Sequence, residues 1–106
     1  MKIVESIKRA ASKKRYNITL HAREEMSPKE DDISERELIE AILNGEIIEE
    51  YPNDKPFPSC LLFGRTKERR PIHAVCAYSK EDNITIIITT YEPSINMWID
   101  YRNRRV

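Results

Sequence analysis

Side chains suited to acid–base chemistry accompany short apolar segments in the second half of the chain. There are only two histidines, His21 and His73, and histidine is the usual general acid or base because it titrates near neutral pH. His73 lies within the apolar segment 71–78, and Tyr91 ends the segment 84–91. A histidine in such a pattern can also be a packed core residue. The residues therefore leave both catalysis and core packing open.

Two groups of basic side chains could contact phosphate. One surrounds the end of the apolar segment 59–66 and the polar turn after it, and the other lies in the C-terminal tail. Arginine binds phosphate oxygens through two parallel hydrogen bonds, and a few such contacts produce salt-dependent binding of nucleic acid. The candidate nucleic-acid-binding residues are Arg65, Arg69, Arg70, Arg102, Arg104 and Arg105.

Common motifs of nucleotide and metal enzymes are missing from the sequence. With two glycines in the chain, a glycine-rich phosphate loop is excluded, and there is no nucleophile elbow. Cys60, Cys76, His21 and His73 are zinc-type ligands, but they do not form close pairs at the usual spacing. We therefore expect no metal and no cofactor.

Charge is balanced overall but unevenly distributed along the chain. There are 18 basic and 18 acidic side chains, yet segment 22–54 holds 12 acids and 3 bases, and the flanking segments carry the matching excess of bases. Charge that is separated along a chain often forms separate surfaces. We expect the arginines of both basic groups to share one face, with segment 30–40 turned away. A surface with interleaved charges would instead favour a protein partner.

Helix patterns dominate the first half of the chain. Apolar residues at i, i+4, i+7 and i+8 predict an amphipathic helix from 2 to about 14, and segment 21–26 also favours a helix. Ser34 and Glu37 form a capping box, which predicts a helix that runs to about 43. Segment 16–20 between the helices reads as extended chain or helix entry.

Strand patterns dominate the second half, which gives an α+β fold. Strands are expected at 46–51, 59–66, 71–79 and 84–91. Their short polar connections predict an antiparallel meander, so N-terminal helices should pack on one face of a four-stranded antiparallel sheet. Segment 94–102 should form a short C-terminal helix or turn whose Trp98 and Ile99 dock on the sheet. A chain of 106 residues is expected to be a single domain, 1–106.

The pairing of the second and third strands decides which side chains meet. If this hairpin closes symmetrically about 68–69, His73 faces Gly64, and Cys60 and Cys76 point to opposite faces. A slip of one residue would bring the two thiols together. Buried free thiols and a disulfide therefore both remain open.

Membrane and export signals are missing from the sequence. No apolar stretch approaches the roughly 18 residues that span a bilayer, and the first residues lead into a helical pattern rather than an apolar signal region. We expect a soluble, cytoplasmic protein with no membrane partner.

Five short segments occur in an order that is typical of a known family. They are LHAREEM (20–26), NGEIIEEYP (44–52), PSCLLFG (58–64), PIHAV (71–75) and TYEP (90–93), followed by Trp98. Together they resemble small prokaryotic domains of unassigned function that are grouped with RelE/ParE-type toxins. The resemblance extends from about residue 16 to 105, which is nearly the whole chain.

The resemblance implies a RelE-like architecture and, with it, a chemistry. RelE-type toxins cleave RNA without metal by using Arg, Lys, Tyr or His on a concave sheet, whereas ParE-type relatives inhibit a DNA gyrase. A small antitoxin normally silences both. Carried over by position, the resemblance makes His21 and His73 acid or base, Arg65 and Arg102 phosphate clamps, and Tyr91 an orienting hydroxyl.

These observations lead to one leading hypothesis and two alternatives. The leading hypothesis is a RelE/ParE-like, toxin-type protein that acts as a metal-independent endoribonuclease, with RNA and an antitoxin as partners. The alternatives are a non-catalytic protein-binding module of the same fold and a housekeeping domain with a small-ligand pocket. A ribonuclease should expose His73 near Arg65, Tyr91 or His21, whereas a structural His73 should be buried and hydrogen-bonded to backbone.

Overall fold

Three helices and a mixed sheet form the computed structural model, which describes residues 3–106. The helices are α1 (Ile3–Ser12), α2 (Leu20–Met26) and α3 (Glu35–Leu43). The strands are β1 (Tyr16–Ile18), β2 (Glu46–Tyr51), β3 (Ser59–Arg65), β4 (Pro71–Ser79), β5 (Ile84–Tyr91), β6 (Trp98–Ile99) and β7 (Asn103–Arg104). Residue 2, where the predicted first helix begins, lies outside the described residues. Within residues 3–106, no helix combines the length and apolar character needed to cross a membrane.

Side-chain caps set the starts of the second and third helices. The predicted capping box is confirmed, since the amide of Glu37 donates to Ser34 Oγ at 3.1 Å and the amide of Ser34 donates to Glu37 Oε1 at 3.0 Å. In α2, the amide of Ala22 donates to the hydroxyl of Thr19 at 3.1 Å. Each cap satisfies a backbone amide that has no partner within its helix.

The main sheet has five strands in the order β1-β5-β4-β3-β2. The four predicted strands are confirmed, and they pair antiparallel with one another. A wholly antiparallel, four-stranded sheet is nevertheless wrong, because β1 pairs parallel with β5. Three residues are too few to display an alternating pattern, so β1 could not be distinguished from a helix entry in the sequence. The observed fold is α+β with a five-stranded mixed sheet.

The turn between β3 and β4 determines how these strands pair. The amide of Thr66 donates to the carbonyl of Arg70 at 2.9 Å, and the amide of Arg69 donates to the carbonyl of Thr66 at 2.9 Å. Arg69 has a left-handed φ of 73°, which closes a three-residue loop. The symmetric register requires a loop with an even number of residues. Because the observed loop has three, the strand pairs differ from that register by one residue.

This shift changes the neighbours of His73 and of both cysteines. His73 lies opposite Phe63 rather than Gly64, and Cys60 lies directly opposite Cys76. Of the two registers left open by the sequence, the structure thus has the slipped one, which brings the two thiols together, and not the symmetric one. Both cysteines are buried and free, and burial raises the pKa of Cys60 to about 11. Across residues 3–106, no group of three or more His, Cys, Asp or Glu side chains is placed to hold a metal ion.

The helices pack on one face of the sheet. Leu38, Ala41 and Ile42 of α3 are buried, as the helical spacing predicted. At Gly64 the backbone of α3 lies so close to β3 that an added Cβ would be 1.8 Å from the carbonyl oxygen of Ala41. No side chain can replace hydrogen at that position without separating the helix from the strand.

The C-terminal segment, residues 94–106, covers part of the opposite face. Instead of the predicted helix or single turn, it forms turns and the two-residue strand pair β6–β7. Asp100 and Tyr101 have positive φ values of 55° and 59°, which reverse the chain between these strands. Trp98 is buried against the sheet as predicted, whereas Ile99 remains 46% exposed.

Replacing Leu38 with alanine should lower the free energy of unfolding by about 2–5 kcal/mol, because it leaves a cavity in a fully buried site. Leu43→Ala in the same helix is the matched control. Leu43 is 41% exposed, so its truncation should cost less than about 1 kcal/mol. Urea unfolding of both variants measures the difference. Equal losses would contradict the packing described for α3.

Candidate functional site

His73 is fully buried at the centre of an aromatic cluster. Its Nε2 lies 2.7 Å from the backbone carbonyl oxygen of Tyr101, and its Nδ1 lies 3.2 Å from the hydroxyl of Tyr91. Since a carbonyl only accepts, Nε2 carries the proton and the Tyr91 hydroxyl donates to Nδ1. The ring of Trp98 packs edge to face against the imidazole, with 4.5 Å between the two ring centres. Burial lowers the pKa of His73, so the ring is neutral near pH 7.

The two histidines do not form one site. The exposed surface expected of a catalytic His73 is absent, although the expected neighbour Tyr91 is in contact with it. His21 lies on α2 with an exposed side chain, and its Nε2 is 3.4 Å from Glu25 Oε1. Glu25 in turn accepts hydrogen bonds from the hydroxyl of Thr89 and from the amide of Thr90. His73 therefore fits the structural alternative, in which it is buried and hydrogen-bonded to the backbone.

Arg70 is a structural residue rather than a free phosphate ligand. Its guanidinium pairs with Glu37 at 3.1 Å and with Glu92 at 2.5 Å. It also donates to the backbone carbonyls of Asp31 and Asp32. These bonds join α3, the loop before it, the β3–β4 turn and the end of β5.

Arg104 and Arg105 hold the C-terminal segment in place. Arg104 donates to both carboxylate oxygens of Glu49, at 2.8 and 3.1 Å, and its guanidinium lies 4.7 Å from the centre of the Trp98 ring. The hydrogen bond from Arg104 lowers the pKa of Glu49. Arg105 donates to the carbonyl of Ile95 at 2.7 Å. The Nε and one Nη of Arg104 are thus held by Glu49, whereas Arg105 uses only its Nε in this bond.

The remaining candidate arginines meet at one concave site, which we call the basic cleft. It lies between the end of β3, the β3–β4 turn and the C-terminal segment, and has a volume of about 420 Å³. Its lining includes Asn44, Glu46, Phe63, Arg65, Lys67, Arg69 and Arg102. Four cationic groups therefore face one carboxylate, so the cleft favours an anion.

Within residues 3–106, three of these four cations form no direct ion pair, although the Lys67 amide donates to Glu40 Oε1 at 3.1 Å and, with the Lys67 charge, helps to lower the pKa of that carboxyl. Among residues 3–106, no carboxylate forms an ion pair with Arg65, Lys67 or Arg69. Arg65 uses one nitrogen to bond the carbonyl of Arg69 at 3.2 Å, which leaves its other donors available. Arg102 differs, because its Nε donates to Glu46 at 2.7 Å.

Aromatic rings support the two guanidinium groups of the cleft. The Cζ of Arg65 lies 5.3 Å from the ring centre of Phe63 and 5.5 Å from that of Tyr101. The Cζ of Arg102 lies 4.9 Å from the Phe63 ring. A cation placed over a ring face is attracted to it, with about 0.5–1 kcal/mol at exposed sites. Both guanidiniums are therefore positioned before any ligand arrives.

The side chain of Asn44 fixes the backbone beneath Arg65. Its amide nitrogen donates to the carbonyl of Arg65 at 2.6 Å, and its amide oxygen accepts from the amide of Arg65 at 2.9 Å. These two bonds replace the strand partner that Arg65 lacks on that side. The last residue of β3 is thus held at the cleft wall.

The expected single basic face is present only in part: Arg65, Arg69 and Arg102 meet at the cleft, but the acidic segment is not turned away from the arginines. Glu37, from the acidic segment that should have turned away, pairs with Arg70, and Glu46 and Glu49 pair with Arg102 and Arg104. Charges are thus interleaved around the cleft, and at the cleft one carboxylate, that of Glu46, lies among four cations. Sequence reasoning placed Lys67 in a basic cluster but missed Phe63 and Asn44 as site residues. Strand alternation could have placed Phe63 beside Arg65, since side chains two residues apart share a face.

Comparison with protein families assigns the chain to a group without a known function. The family profile described as Domain of unknown function (DUF4258) matches residues 18–92. Because this match covers more than half of the chain, the protein belongs to that family. Its description does not mention RelE/ParE-type toxins. No curated protein matches the chain, and no solved structure matches it.

Replacing His73 with glutamine should lower the free energy of unfolding by about 1–3 kcal/mol, because Tyr91 and the Tyr101 carbonyl lose a buried partner. The exposed His21→Gln is the matched control and should change stability by no more than about 0.5 kcal/mol. Urea unfolding at pH 7.5 checks both values. A loss of equal size in the two variants would contradict the structural role of His73.

The stability difference between the wild type and His73→Gln should also depend on pH. Burial depresses the pKa of His73 below its ordinary value of 6.5 in the folded protein, so below that pH the unfolded chain binds more protons at this residue. The contribution of His73 should thus be complete above pH 6.5 and decrease as the pH falls towards 5. Unfolding curves at several pH values measure it, and a difference that grows on acidification would contradict the burial.

Proposed function

We propose that this domain binds single-stranded RNA by holding a few successive phosphates in the basic cleft. The observation that carries the proposal is the convergence of Arg65, Lys67 and Arg69, which form no direct ion pair within residues 3–106, with Arg102 at one concave site. A guanidinium presents a planar fork that matches two phosphate oxygens, and lysine adds a compact charge. RNA as the ligand follows the resemblance to RelE-type toxins, whose target is RNA.

The pattern of ion pairs supports a short binding site rather than a long track. Arg70 and Arg104 do not line the cleft, and their charges are already matched by Glu37, Glu92 and Glu49. Duplex RNA is recognised across two successive grooves, which requires basic groups spread over a long surface. A cleft with four cations suits a few nucleotides of flexible single strand.

We further propose that binding occurs without cleavage by His73. A general acid or base must come within ~2.6–3.2 Å of the proton that it moves, directly or through one water. The buried His73 ring uses both nitrogens for bonds within the protein, and Phe63, which supports Arg65, also packs against it at 5.8 Å. RNA thus remains the ligand, as in the toxin hypothesis, but His73 is a structural rather than a catalytic residue.

Salt dependence tests the proposal on the wild-type protein. Fluorescence anisotropy with a labelled hexauridylate should show binding at low salt that weakens as salt rises. With four contacts and about −0.7 per phosphate on a single strand, a plot of log K against log salt concentration should have a slope of about −2 to −3. Gel electrophoresis of the same mixtures should show intact RNA. Absence of binding at low salt, or a slope near zero, would contradict the proposal.

Single charge removals locate the site. Arg65→Gln and Lys67→Gln should each weaken binding about tenfold or more and make the salt slope less negative by about 0.7. Lys80→Gln is the matched control, because Lys80 lies in the β4–β5 connection, at the other end of β4 from the cleft. It loses the same charge and should bind as the wild type does. Equal effects in all three variants would show only nonspecific attraction.

A second candidate is the non-catalytic protein-binding module. It is favoured by the interleaved charges and by three apolar side chains of the C-terminal segment that are largely exposed, Ile95, Met97 and Ile99. Exposed apolar groups that lie together mark interaction surfaces more often than isolated ones do. This candidate replaces the RNA proposal if neither the wild type nor Lys80→Gln binds hexauridylate at low salt.

A further inference from the structure

Among residues 3–106, Arg102 is the cleft cation whose side chain forms an ion pair with another residue of the cleft. Its Nε donates to Glu46 Oε1 at 2.7 Å, and both side chains are about half exposed, at 47% and 51%. Both residues also line the cleft. In the free protein, the Glu46 carboxylate therefore occupies the position on Arg102 at which the proposed function places a phosphate oxygen of the ligand.

The strand pattern brings Glu46 to this position. Glu46 is the first residue of β2 and lies opposite Phe63, so it shares the sheet face on which Phe63 supports Arg102. The register of β2 and β3 shifts between Ile47 and Glu49, and this bulge places a second carboxylate on the same face, where it binds Arg104. The two ion pairs differ in two respects. Arg102 lies over the Phe63 ring and Arg104 over the Trp98 ring, and the Glu46–Arg102 pair lines the cleft whereas the Glu49–Arg104 pair does not.

Arg102 does not depend on Glu46 for its position. Its Cζ lies 4.9 Å from the centre of the Phe63 ring, and its Nη1 donates to the backbone carbonyl of Asp100 at 3.2 Å. Both contacts can remain when the carboxylate leaves. An exposed ion pair of this kind adds little stability, so exchanging its anion is not costly.

We infer that Glu46 is a built-in competitor for the phosphate-binding site. Its carboxylate is displaced from Arg102 when a ligand phosphate binds, which makes Glu46 a residue that limits affinity for phosphate. This inference rests on the proposed function for its ligand. Removing the charge of Glu46 should free Arg102 and remove the repulsion between the carboxylate and the incoming phosphate.

Glu46→Gln should therefore tighten the binding of hexauridylate about three- to tenfold, a gain consistent with the strength of an exposed ion pair. Glu68→Gln is the matched control. Glu68 lies in the β3–β4 turn between two cleft cations, and its own partner is Arg36, at 3.5 Å, outside the cleft. The control removes the same charge nearby without freeing Arg102, so its gain should be less than about twofold.

A double-mutant comparison shows whether the gain acts through Arg102. In an Arg102→Gln background, the additional Glu46→Gln change should alter affinity by less than about twofold, because no cation remains for the carboxylate to occupy. A gain that persists without Arg102 would overturn the inference, as would equal gains from Glu46→Gln and Glu68→Gln.

The same variants titrated with inorganic pyrophosphate separate this inference from the RNA proposal. If hexauridylate fails to bind but pyrophosphate binds Glu46→Gln more tightly than the wild type, through Arg102, the competitor stands and the RNA proposal fails. If RNA binds the wild type and Glu46→Gln equally, the competitor fails and the RNA proposal stands. If neither ligand binds any variant, both are overturned.

Discussion

The contact between His73 and the C-terminal segment determines the shape of the candidate site. Helices cover one face of the sheet, and the other face would be open without residues 94–106. The bond from His73 to the Tyr101 carbonyl and the edge-to-face packing of Trp98 fix the path of this segment. Tyr101 and Arg102 consequently arrive beside Phe63, where they complete the basic cleft. A residue with the chemistry of an acid or base thus has a structural role in shaping the candidate site.

Ion pairing decides which basic residues remain available to a ligand. Arg70 and Arg104 form structural ion pairs with carboxylates. Arg65, Lys67 and Arg69 line the cleft and form no direct ion pair within residues 3–106. A formal net charge of +0 for the whole chain is therefore compatible with a locally cationic site. The distribution of acidic partners, more than the number of arginines, decides where a phosphate could be bound.

Local patterns predicted most of the elements, but long-range pairing was not readable from the sequence. The capping box at Ser34 and the four longer strands follow from spacing alone, and so does the buried face of α3. The left-handed residue of the β3–β4 turn is Arg69, and since an arginine there gives no signal of the kind that glycine gives, the register was missed by one residue. Arg70 and Arg104 find their carboxylates 33 and 55 residues away along the chain. Only the fold brings such partners together.

Mapping the binding site residue by residue tests the central claim most directly. In an NMR titration of the ¹⁵N-labelled protein with hexauridylate, we expect the largest shift changes at the amides of 64–70 and at the side-chain Nε–H groups of Arg65 and Arg102. The amides around His21 and Lys80 should stay unchanged. Changes centred on the exposed apolar side chains of 95–99, or spread evenly over the basic residues of the surface, would contradict the basic cleft as the RNA-binding site.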